Sequence, residues 1–488
     1  MIIAMPLPGI VGFAARSPPP PQQNQSLHSR RRFQRDYLPT ALPDGAHLDD
    51  TILIAGGGPA GLAAALALNK IGMKTLVLER NTSLPAAGAA LGLWTNAWKA
   101  LDSLDAASHL RELHPLVSEV EICRQDGRTL TQFSIVECDG GPHEFRGVRR
   151  SSLVKVLAEQ LPEDSIEYNA EVVDVRSPRS EYQSNNNTSN KKNANIGAEV
   201  KLSDGRVISC AAIVGCDGAR SSTAVALGKK EASYAGQVAI RGIAQLNILQ
   251  KRCPDIDFSQ SIRQIWGAGP RAGMYPLSSS ELYWFVCFDA PATAAVPASP
   301  AEVKAEAARI VKGWGWGVEA AVEATHENDF SRSRIVDRWD IKPLLRNSYN
   351  VISGSGGDEL KKEENSTGRP LLPLATLCGD ALHPMTPNLG QGGCTALEDG
   401  VILAQVVQKS GAVNLSGTTR RQALENAFIE YEKVRTKRCL PLTVRSNLMG
   451  AALQLPLPPV LLARDWFVAN VFNPGHFLDH ATFDCGKL

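Results

Sequence analysis

The sequence lacks the features that direct a chain to a nucleic acid or across a membrane. Its 488 residues contain 51 Lys and Arg against 50 Asp and Glu, a formal net charge of +1, so no overall field attracts a polyanion. The longest apolar stretch, 448–463, is interrupted by three prolines, which argues against a membrane-spanning helix. We therefore expect no nucleic-acid partner and no transmembrane span. A peripheral contact of 453–463 with a membrane or a partner protein stays open.

Paired redox or metal-binding cysteines are also missing. The ten cysteines include no C-x-x-C pair, and the two that are nearest in sequence, Cys210 and Cys216, are six residues apart. This spacing indicates neither a zinc site nor a dithiol redox centre. We expect reduced thiols that pack as small apolar side chains, and we predict no metal.

Acidic residues are absent from the first 35 positions, which contain five arginines and a PPPPQQNQS tract. Such a segment cannot form a packed core, and its composition is typical of an organelle transit peptide. Residues 1–47 are therefore predicted to be a transit segment or simply disordered. Two later polar tracts, 177–197 and 353–369, lack apolar periodicity and are predicted to be mobile surface loops.

Glycine, by contrast, is concentrated where an apolar strand meets a helix, in residues 51–61, TILIAGGGPAG. Gly56 suits the tight turn, Gly58 leaves room for a pyrophosphate, and Gly61 lets the helix pack closely on the strand. The free amides at the helix start favour a diphosphate. Glu79, at the end of the next predicted strand, is placed to accept hydrogen bonds from ribose hydroxyls. The predicted dinucleotide contacts here are Gly56, Gly58, Pro59, Ala60, Gly61, Glu79 and Arg80.

Two further motifs accompany the glycine turn: CDGARS at 216–221, and LCGDALHPMTPNLGQGGCTALEDG at 377–400. In this order and at these separations, the three motifs resemble the flavoprotein monooxygenase family of para-hydroxybenzoate hydroxylase and salicylate hydroxylase. The resemblance extends over about residues 50–440. It implies FAD as the cofactor and NADPH or NADH as a transient reductant. A second nucleotide-binding fingerprint is absent, as this family requires.

The predicted fold is α/β, with a three-layer, Rossmann-like FAD-binding domain. Strand-like runs between 231 and 291 predict an inserted antiparallel β-sheet that carries the substrate, and the pattern after Thr395 is helical. The predicted divisions are an FAD-binding domain over 48–228 and 330–410, a β-rich substrate domain over 229–329 and a C-terminal helical region over 411–488.

The resemblance assigns further roles in cofactor binding. Asp380 would accept hydrogen bonds from ribityl hydroxyls, and the side-chain-free backbone around Gly392 would approach the isoalloxazine. Asp217 matches a family residue linked to FAD and nicotinamide binding, although an ordinary Asp-Gly turn is the alternative. The stretch 84–90 departs from the family because it lacks a basic or polar residue. The added predicted contacts are Arg150, Asp217, Gly218, Gly379, Asp380, Gly390, Gln391, Gly392 and Gly393.

Catalytic and substrate residues are less specifically marked. His383 is a candidate general base, with a local packing role as the alternative, and Pro384 would shape the loop over the flavin. The inserted sheet offers residues that could line a substrate cavity or simply form its core: Tyr234, Arg241, Trp266, Met274, Tyr275 and Trp284.

The resemblance implies a monooxygenase that inserts one atom of O2 into a small aromatic or lipophilic substrate through a C4a-hydroperoxyflavin. The alternatives are an epoxidase or reductase that acts on an isoprenoid or quinone, and a flavin-binding regulatory protein with weak oxidase activity. Together with the N-terminal composition, the chain resembles plant members of the family with a plastid address. The expected location is the chloroplast, with the mitochondrion or cytoplasm as alternatives.

Overall fold

The computed structural model describes residues 42–84, 90–178, 197–339, 344 and 373–488. The predicted transit segment up to residue 41, the stretch 85–89 and nearly all of both polar tracts lie outside these residues. The strands are β1 (Ala46–Ala55), β2 (Lys74–Glu79), β3 (Ala90–Trp94), β4 (Glu119–Arg124), β5 (Thr129–Ser134), β6 (Phe145–Arg149), β7 (Ile166–Tyr168), β8 (Val172–Arg176), β9 (Ala198–Leu202), β10 (Val207–Gly215), β11 (Ser233–Gln245), β12 (Ser261–Trp266), β13 (Arg271–Pro276), β14 (Glu281–Asp289), β15 (Ser331–Asp337) and β16 (Ala375–Leu377).

Helices are interspersed with these strands and predominate after residue 390. They are α1 (Pro59–Lys70), α2 (Thr95–Ser103), α3 (Ala107–Leu113), α4 (Arg150–Glu159), α5 (Ser222–Ala226), α6 (Leu246–Arg252), α7 (Pro300–Ile310), α8 (Val318–Glu323), α9 (Gly392–Lys409), α10 (Gly417–Gln454), α11 (Pro458–Asn470) and α12 (Pro474–Leu478). The α/β class and the helical C-terminal region are therefore as predicted.

The first sheet has the strand order β7-β2-β1-β10-β9-β8, and β16 also pairs with β10. Its centre is parallel, because β1 pairs with both β2 and β10 in that sense, whereas β9 runs antiparallel to β10 and β8. Ile52, Leu53 and Ile54 are fully buried, as a central parallel strand covered on both faces requires. Ile52 and Ile54 share a core with the buried residues of α1 and α9, while Leu53 faces β8 and β9.

The second sheet has the order β15-β11-β14-β13-β12-β4-β5. It is antiparallel except where β12 runs parallel to β4. Three of its strands come from outside 229–329, since β4 and β5 precede that segment and β15 follows it. A local strand pattern shows where a strand lies but not which distant strand pairs with it, so this extension was not visible in the sequence.

The C-terminal region closes the first sheet. Helix α9 packs against both α1 and α10, and α10 continues for 38 residues with Pro441 inside it. Among the described residues, no helix combines the length and the apolar character that crossing a bilayer requires.

Candidate cofactor-binding and active site

The glycine turn after β1 is built so that side chains are excluded from it. Gly56 has a φ of +105°, and a Cβ there would lie 2.7 Å from the Cys216 carbonyl oxygen. A Cβ on Gly61 would lie 1.9 Å from the Gly56 carbonyl oxygen. Helix α1 has Gly58 at its N-cap, no side-chain cap and no acidic residue in its first turn. Its first amides are therefore available to an anion.

Glu79 and Arg150 flank this turn. The buried Glu79 carboxylate accepts hydrogen bonds from Gly57 N at 2.7 Å and from Asn81 N at 3.0 Å, which fixes the turn. A Cβ added to Gly58 would lie 3.5 Å from Arg150 Nη2, so the Arg150 guanidinium is next to the start of α1. Burial lowers the Arg150 pKa, and the carboxylates of Glu79 and Asp380 oppose that shift. Arg80, also predicted as a contact, is exposed.

Asp217 lies in the turn after β10 and caps the helix that follows. Its carboxylate accepts hydrogen bonds from the Ser221 hydroxyl, from the Ser222 hydroxyl at 3.3 Å and from Thr223 N at 3.0 Å. Gly218 has a φ of +84°. The local turn that was the alternative for Asp217 is thus present, and a cofactor contact by Asp217 stays a prediction.

The Gly379–Asp380 turn packs onto the start of α1. Gly379 has a φ of +59°, and a Cβ there would lie 2.8 Å from the Ala60 Cβ. Asp380 is exposed to the cavity. The protein around the cavity desolvates its carboxylate and so raises its pKa, against the opposing effects of His383 and Arg150. The turn places a polar carboxyl group between the glycine turn and the cavity.

The cavity has a volume of about 470 Å³ and lies between the Gly379–Asp380 turn and the second sheet. Most of its lining is apolar. The predicted residues that line it are Arg241, Trp266, Tyr275, Asp380, Pro384, Gly390, Gly392 and Gly393. Other lining residues were not predicted, among them Trp94, Phe145, Gln264, Arg271, Tyr283, Phe285, Asn388, Met449, Leu453 and Phe472.

Tyr234, Met274 and Trp284 do not line the cavity. For Met274 and Trp284 the structure shows the core packing that was the alternative. Side chains alternate between the two faces of a strand, so Arg271 and Tyr275 of β13 face the cavity while Met274 packs into the core on the other side. Trp284 lies in the same core. Tyr234 donates a hydrogen bond to the Ala290 carbonyl at 2.7 Å. The same alternation, anchored on Tyr275, is the signal that would have identified Arg271.

His383 also does not line the cavity, which favours its alternative role in local packing over that of a general base. It is fully buried, and its Nε2 is 2.8 Å from Asp399 Oδ2. Burial alone lowers the pKa of His383, but the Asp399 carboxylate outweighs it and holds the pKa well above its usual value. His383, Asp399 and Cys439 have possible metal-ligand atoms within 4.8 Å of one another. However, Asp399 Oδ1 already accepts a hydrogen bond from Arg435 Nε at 2.5 Å. The packing role is the one that the structure supports.

Arg271 is the most unusual group in the cavity wall. It is 3% exposed, and its Nη2 donates to the Asn388 side-chain oxygen. Its guanidinium lies 5.7 Å from the centre of the Phe285 ring. Among the described residues no carboxylate pairs with it, and its Nε finds no acceptor. A buried cation in this state favours a ligand that brings an acceptor or a negative charge.

The amino end of α9 forms another wall. The helix begins at Gly392, three residues before Thr395, after which the sequence pattern predicts helix, and both Gly392 and Gly393 line the cavity. Its N-cap residue, Gln391, makes no capping hydrogen bond, and the first turn has no acidic residue. The positive end of the helix dipole therefore faces the cavity. The Asp380 carboxylate lies beside it, since a Cβ on Gly392 would be 3.8 Å from Asp380 Oδ1.

The chain is similar to known proteins in sequence and in fold. The chain matches the family described as an FAD binding domain over residues 49–340. Monooxygenase 2 of Arabidopsis thaliana is 29% identical over 454 residues, 90% of this chain and 98% of that protein. An FAD-dependent urate hydroxylase of Mycolicibacterium vanbaalenii is 25% identical over 403 residues, 81% and 87% of the two chains. The crystal structure of Klebsiella pneumoniae HpxO with FAD and uric acid has a TM-score of 0.65 and 22% identity, covering 88% of this chain and 95% of that one.

The Gly379–Asp380 turn and the uncapped amino end of α9 line one cavity, and the glycine turn after β1 leads into the helix start against which Gly379 packs. Together these features define a dinucleotide-binding oxidoreductase. The family match spans more than half of the chain. The protein therefore belongs to the FAD-binding-domain family, among the FAD-dependent monooxygenases and hydroxylases.

The residues present fit FAD. Gly58 and the first amides of α1 leave space and donors for a diphosphate, and Arg150 supplies a cation that is without a hydrogen-bonding partner among the described residues. Glu79 and Asp380 provide carboxyl groups at two separate points. The uncapped end of α9 suits the negative charge of a reduced flavin.

Proposed function

We propose that this enzyme uses NAD(P)H and O2 to insert one oxygen atom into a small aromatic or lipophilic compound. The observation that carries the proposal is the cavity of about 470 Å³, because one space is bounded by the Gly379–Asp380 turn, by the amino end of α9 and by a largely apolar sheet face. A ligand bound there would lie next to the flavin, and because the ligand fills the cavity it would exclude water from it. Bound FAD would supply the electron transfer and the activation of O2.

The walls favour a ring that carries an oxygen atom. Trp266, Tyr275, Tyr283 and Phe285 offer aromatic surface, and Arg271 offers the buried donor. In support, one relative is named for urate, and another, from Pseudomonas aeruginosa and 27% identical, is named 2-heptyl-3-hydroxy-4(1H)-quinolone synthase. We therefore propose a planar substrate with a carbonyl, phenolate or carboxylate oxygen directed at Arg271.

The cavity tyrosines would orient this substrate as neutral groups. Burial raises the pKa of Tyr275 well above its usual value and that of Tyr283 to about 12. Both hydroxyls consequently keep their protons at neutral pH and can donate hydrogen bonds, but they do not act as bases. An acidic substrate would therefore bind best in its ionised form, with Arg271 as the counter-charge.

The test is a substrate screen with the purified protein loaded with FAD. Phenolic acids, quinones, heteroaromatic ketones and isoprenoids are added one at a time, and NADH and NADPH consumption is recorded. The proposal predicts that one class accelerates consumption and that mass spectrometry finds one atom from labelled O2 in its product. Labelled oxygen in an epoxide, or a reduced product without label, would favour the epoxidase or reductase alternatives. Substrate-independent peroxide formation would favour a regulatory flavoprotein.

A lipid contact is proposed for α11. Leu462 and Trp466 are 67% and 63% exposed, and Phe467 is also exposed. The charged residues of this helix are turned inward, since Arg464 and Asp465 pair at 2.8 Å. An outward face with Trp, Phe and Leu but no exposed charge is suited to a membrane interface, and Leu453 and Phe472 on either side of it line the cavity.

Cosedimentation with phosphatidylcholine vesicles tests this contact. The native protein should bind, with little loss at high salt, and the double variant Leu462→Ser/Trp466→Ser should not. A double variant that binds equally well would contradict the contact. Self-association of the native protein that the variant abolishes, without vesicle binding, would assign the face to a second copy instead.

The chloroplast location is also proposed, on the composition of residues 1–47. A fusion of these residues to a fluorescent reporter should enter plastids. A mitochondrial or cytosolic signal would select one of the alternatives.

A further inference from the structure

A buried polar side chain lies behind the cavity wall, outside the cofactor motifs. Asn96, in the first turn of α2, is fully buried. Its Nδ2 donates to Gln391 Oε1 at 2.8 Å and to Glu398 Oε1 at 2.6 Å. One amide group thus joins three elements: the helix after β3, the turn before α9, and α9 itself.

Gln391 is the only residue with a side chain in the stretch Gly390-Gln391-Gly392-Gly393. Glycine gives a backbone the greatest conformational freedom, and Gly390, Gly392 and Gly393 all line the cavity. A side-chain anchor for this stretch must therefore act through Gln391. Its Oε1 is held by Asn96, and its Nε2 has no partner among the described residues.

The other end of the connection is a rigid charged cluster. Glu398 accepts hydrogen bonds from Arg435 Nη2 at 2.8 Å and Arg438 Nη2 at 3.1 Å. The adjacent Asp399 accepts from Arg435 Nε at 2.5 Å and, through Oδ2, from Gly379 N at 2.6 Å. Asn96 consequently connects the glycine stretch with the cluster that fixes the Gly379–Asp380 turn.

We propose that Asn96 is a positioning residue for the flavin, which it acts on by holding Gln391 and, with it, the uncapped amino end of α9. The segments 379–384 and 390–393 both contribute residues to the cavity lining. The contact of Asn96 behind the cavity wall thereby fixes the position of one segment relative to the other. The inference concerns FAD binding and the electronic state of the flavin, and it holds whatever substrate the enzyme uses.

Asn96→Leu tests the proposal, because leucine has nearly the same size and makes no hydrogen bonds. The readouts are the dissociation constant of FAD from the full-length protein, the absorption and circular dichroism of the bound flavin, and its midpoint potential. We expect FAD binding to weaken about three- to tenfold, as the loss of a buried hydrogen bond implies. The flavin spectra should shift, and the midpoint potential should become more negative, since reduced flavin loses stabilisation.

Thr325→Val is the matched control. Thr325 is buried in the core of the second sheet, accepts from Trp284 Nε1 at 2.8 Å and donates to the Ala321 carbonyl at 2.7 Å. Its isosteric replacement also removes buried hydrogen bonds and should lower stability while leaving FAD affinity, spectra and potential unchanged. Equal changes in both variants would mean that Asn96 acts only through global stability, and would overturn the proposal.

Gln391→Ala provides a second route in case Asn96→Leu folds poorly. It removes the same link from the other side and should give a similar loss of FAD affinity. The double variant should be little worse than either single one, because coupled residues are not additive. Fully additive losses, or wild-type affinity and potential in folded single variants, would contradict the positioning role.

Discussion

Gly379 lies against Ala60 so closely that a Cβ on Gly379 would be 2.8 Å from the Ala60 Cβ. Ala60 is in the first turn of α1, which follows the glycine turn, and Gly379 begins the turn after β16. Two motifs far apart in the sequence therefore share one contact surface. The parallel arrangement of β1, β10 and β16 causes this, because the carboxyl ends of all three strands meet at one edge of the sheet.

Gly379→Ala is accordingly predicted to weaken FAD binding more than its effect on folding explains. The new methyl group must displace Ala60, and the residue must also keep a φ of +59°. Gly411→Ala is the control, since Gly411 has a φ of +74° but open space around it. Both variants should lose about 1–2 kcal/mol of stability from the left-handed backbone. Titration with FAD should show at least a tenfold loss for Gly379→Ala and none for Gly411→Ala.

Arg271→Met is predicted to impair substrate binding and spare the cofactor. Removal of a buried charged donor costs about 1.5–3 kcal/mol, so kcat/KM for the best substrate of the screen should fall roughly 10- to 100-fold, with unchanged FAD affinity. Arg252→Met, which breaks a surface ion pair with Glu323, should leave kcat/KM as it is. Unchanged steady-state kinetics in Arg271→Met would remove the proposed substrate anchor.

His383 gives the protein a pH-dependent stability. The groups that face it are Asp399 on α9, Cys439 on α10 and Asp380 in its own turn. The pKa of His383 is raised in the folded protein. Its contribution to the free energy of unfolding is therefore complete below about pH 6.5, the ordinary pKa of histidine. That contribution is lost as the pH rises through the folded-state pKa. The free energy of unfolding should therefore decline above about pH 6.5.

His383→Gln should flatten that decline, and urea unfolding between pH 6 and 9 measures it. At acid pH the opposite sign applies to Asp399: burial opposes its ionisation, yet His383 and Arg435 lower its pKa to about 2. Its contribution is present above about pH 4 and is lost as the pH falls towards 2. Identical pH slopes for His383→Gln and the native protein would show that the imidazole is neutral throughout.

Arg435→Met should be strongly destabilising. It leaves the buried carboxylates of Glu398 and Asp399 without their shared cation, a change that costs about 3–5 kcal/mol. Arg445→Met on the same helix breaks an exposed pair with Asp479 and should cost at most about 1 kcal/mol. Chemical unfolding of the two variants compares them directly, and equal losses would contradict the structural importance of the buried cluster.

The sequence predicted those parts of the site that depend on local geometry. The glycine turn of 51–61 requires only a strand, a tight turn and a helix in succession, and the structure contains these at Gly56 and Gly61. The role of Asp380, in the motif at 377–400, came from the family resemblance. The family resemblance then supplied the cofactor, which local patterns alone could not distinguish from other dinucleotides.

The rest depended on contacts between distant segments. Asn388 approaches Arg271 only because the turn before α9 meets β13, and no spacing in the chain indicates this. Met274 was open between the cavity and the core, and strand alternation decides between them: it directs the neighbouring Tyr275 to the cavity and Met274 to the core. His383 was chosen for its chemistry, whereas its burial beside Asp399 decides its role.

The convergence of three segments on one FAD is the central claim, and FAD titration of the purified native protein beside Asp380→Ala tests it most directly. The native protein should bind one FAD per chain with a flavin absorption spectrum, and Asp380→Ala, folded by circular dichroism, should bind it at least tenfold more weakly. A native protein that retains no FAD once the unbound excess is removed, or an Asp380→Ala variant with native affinity, would contradict the account.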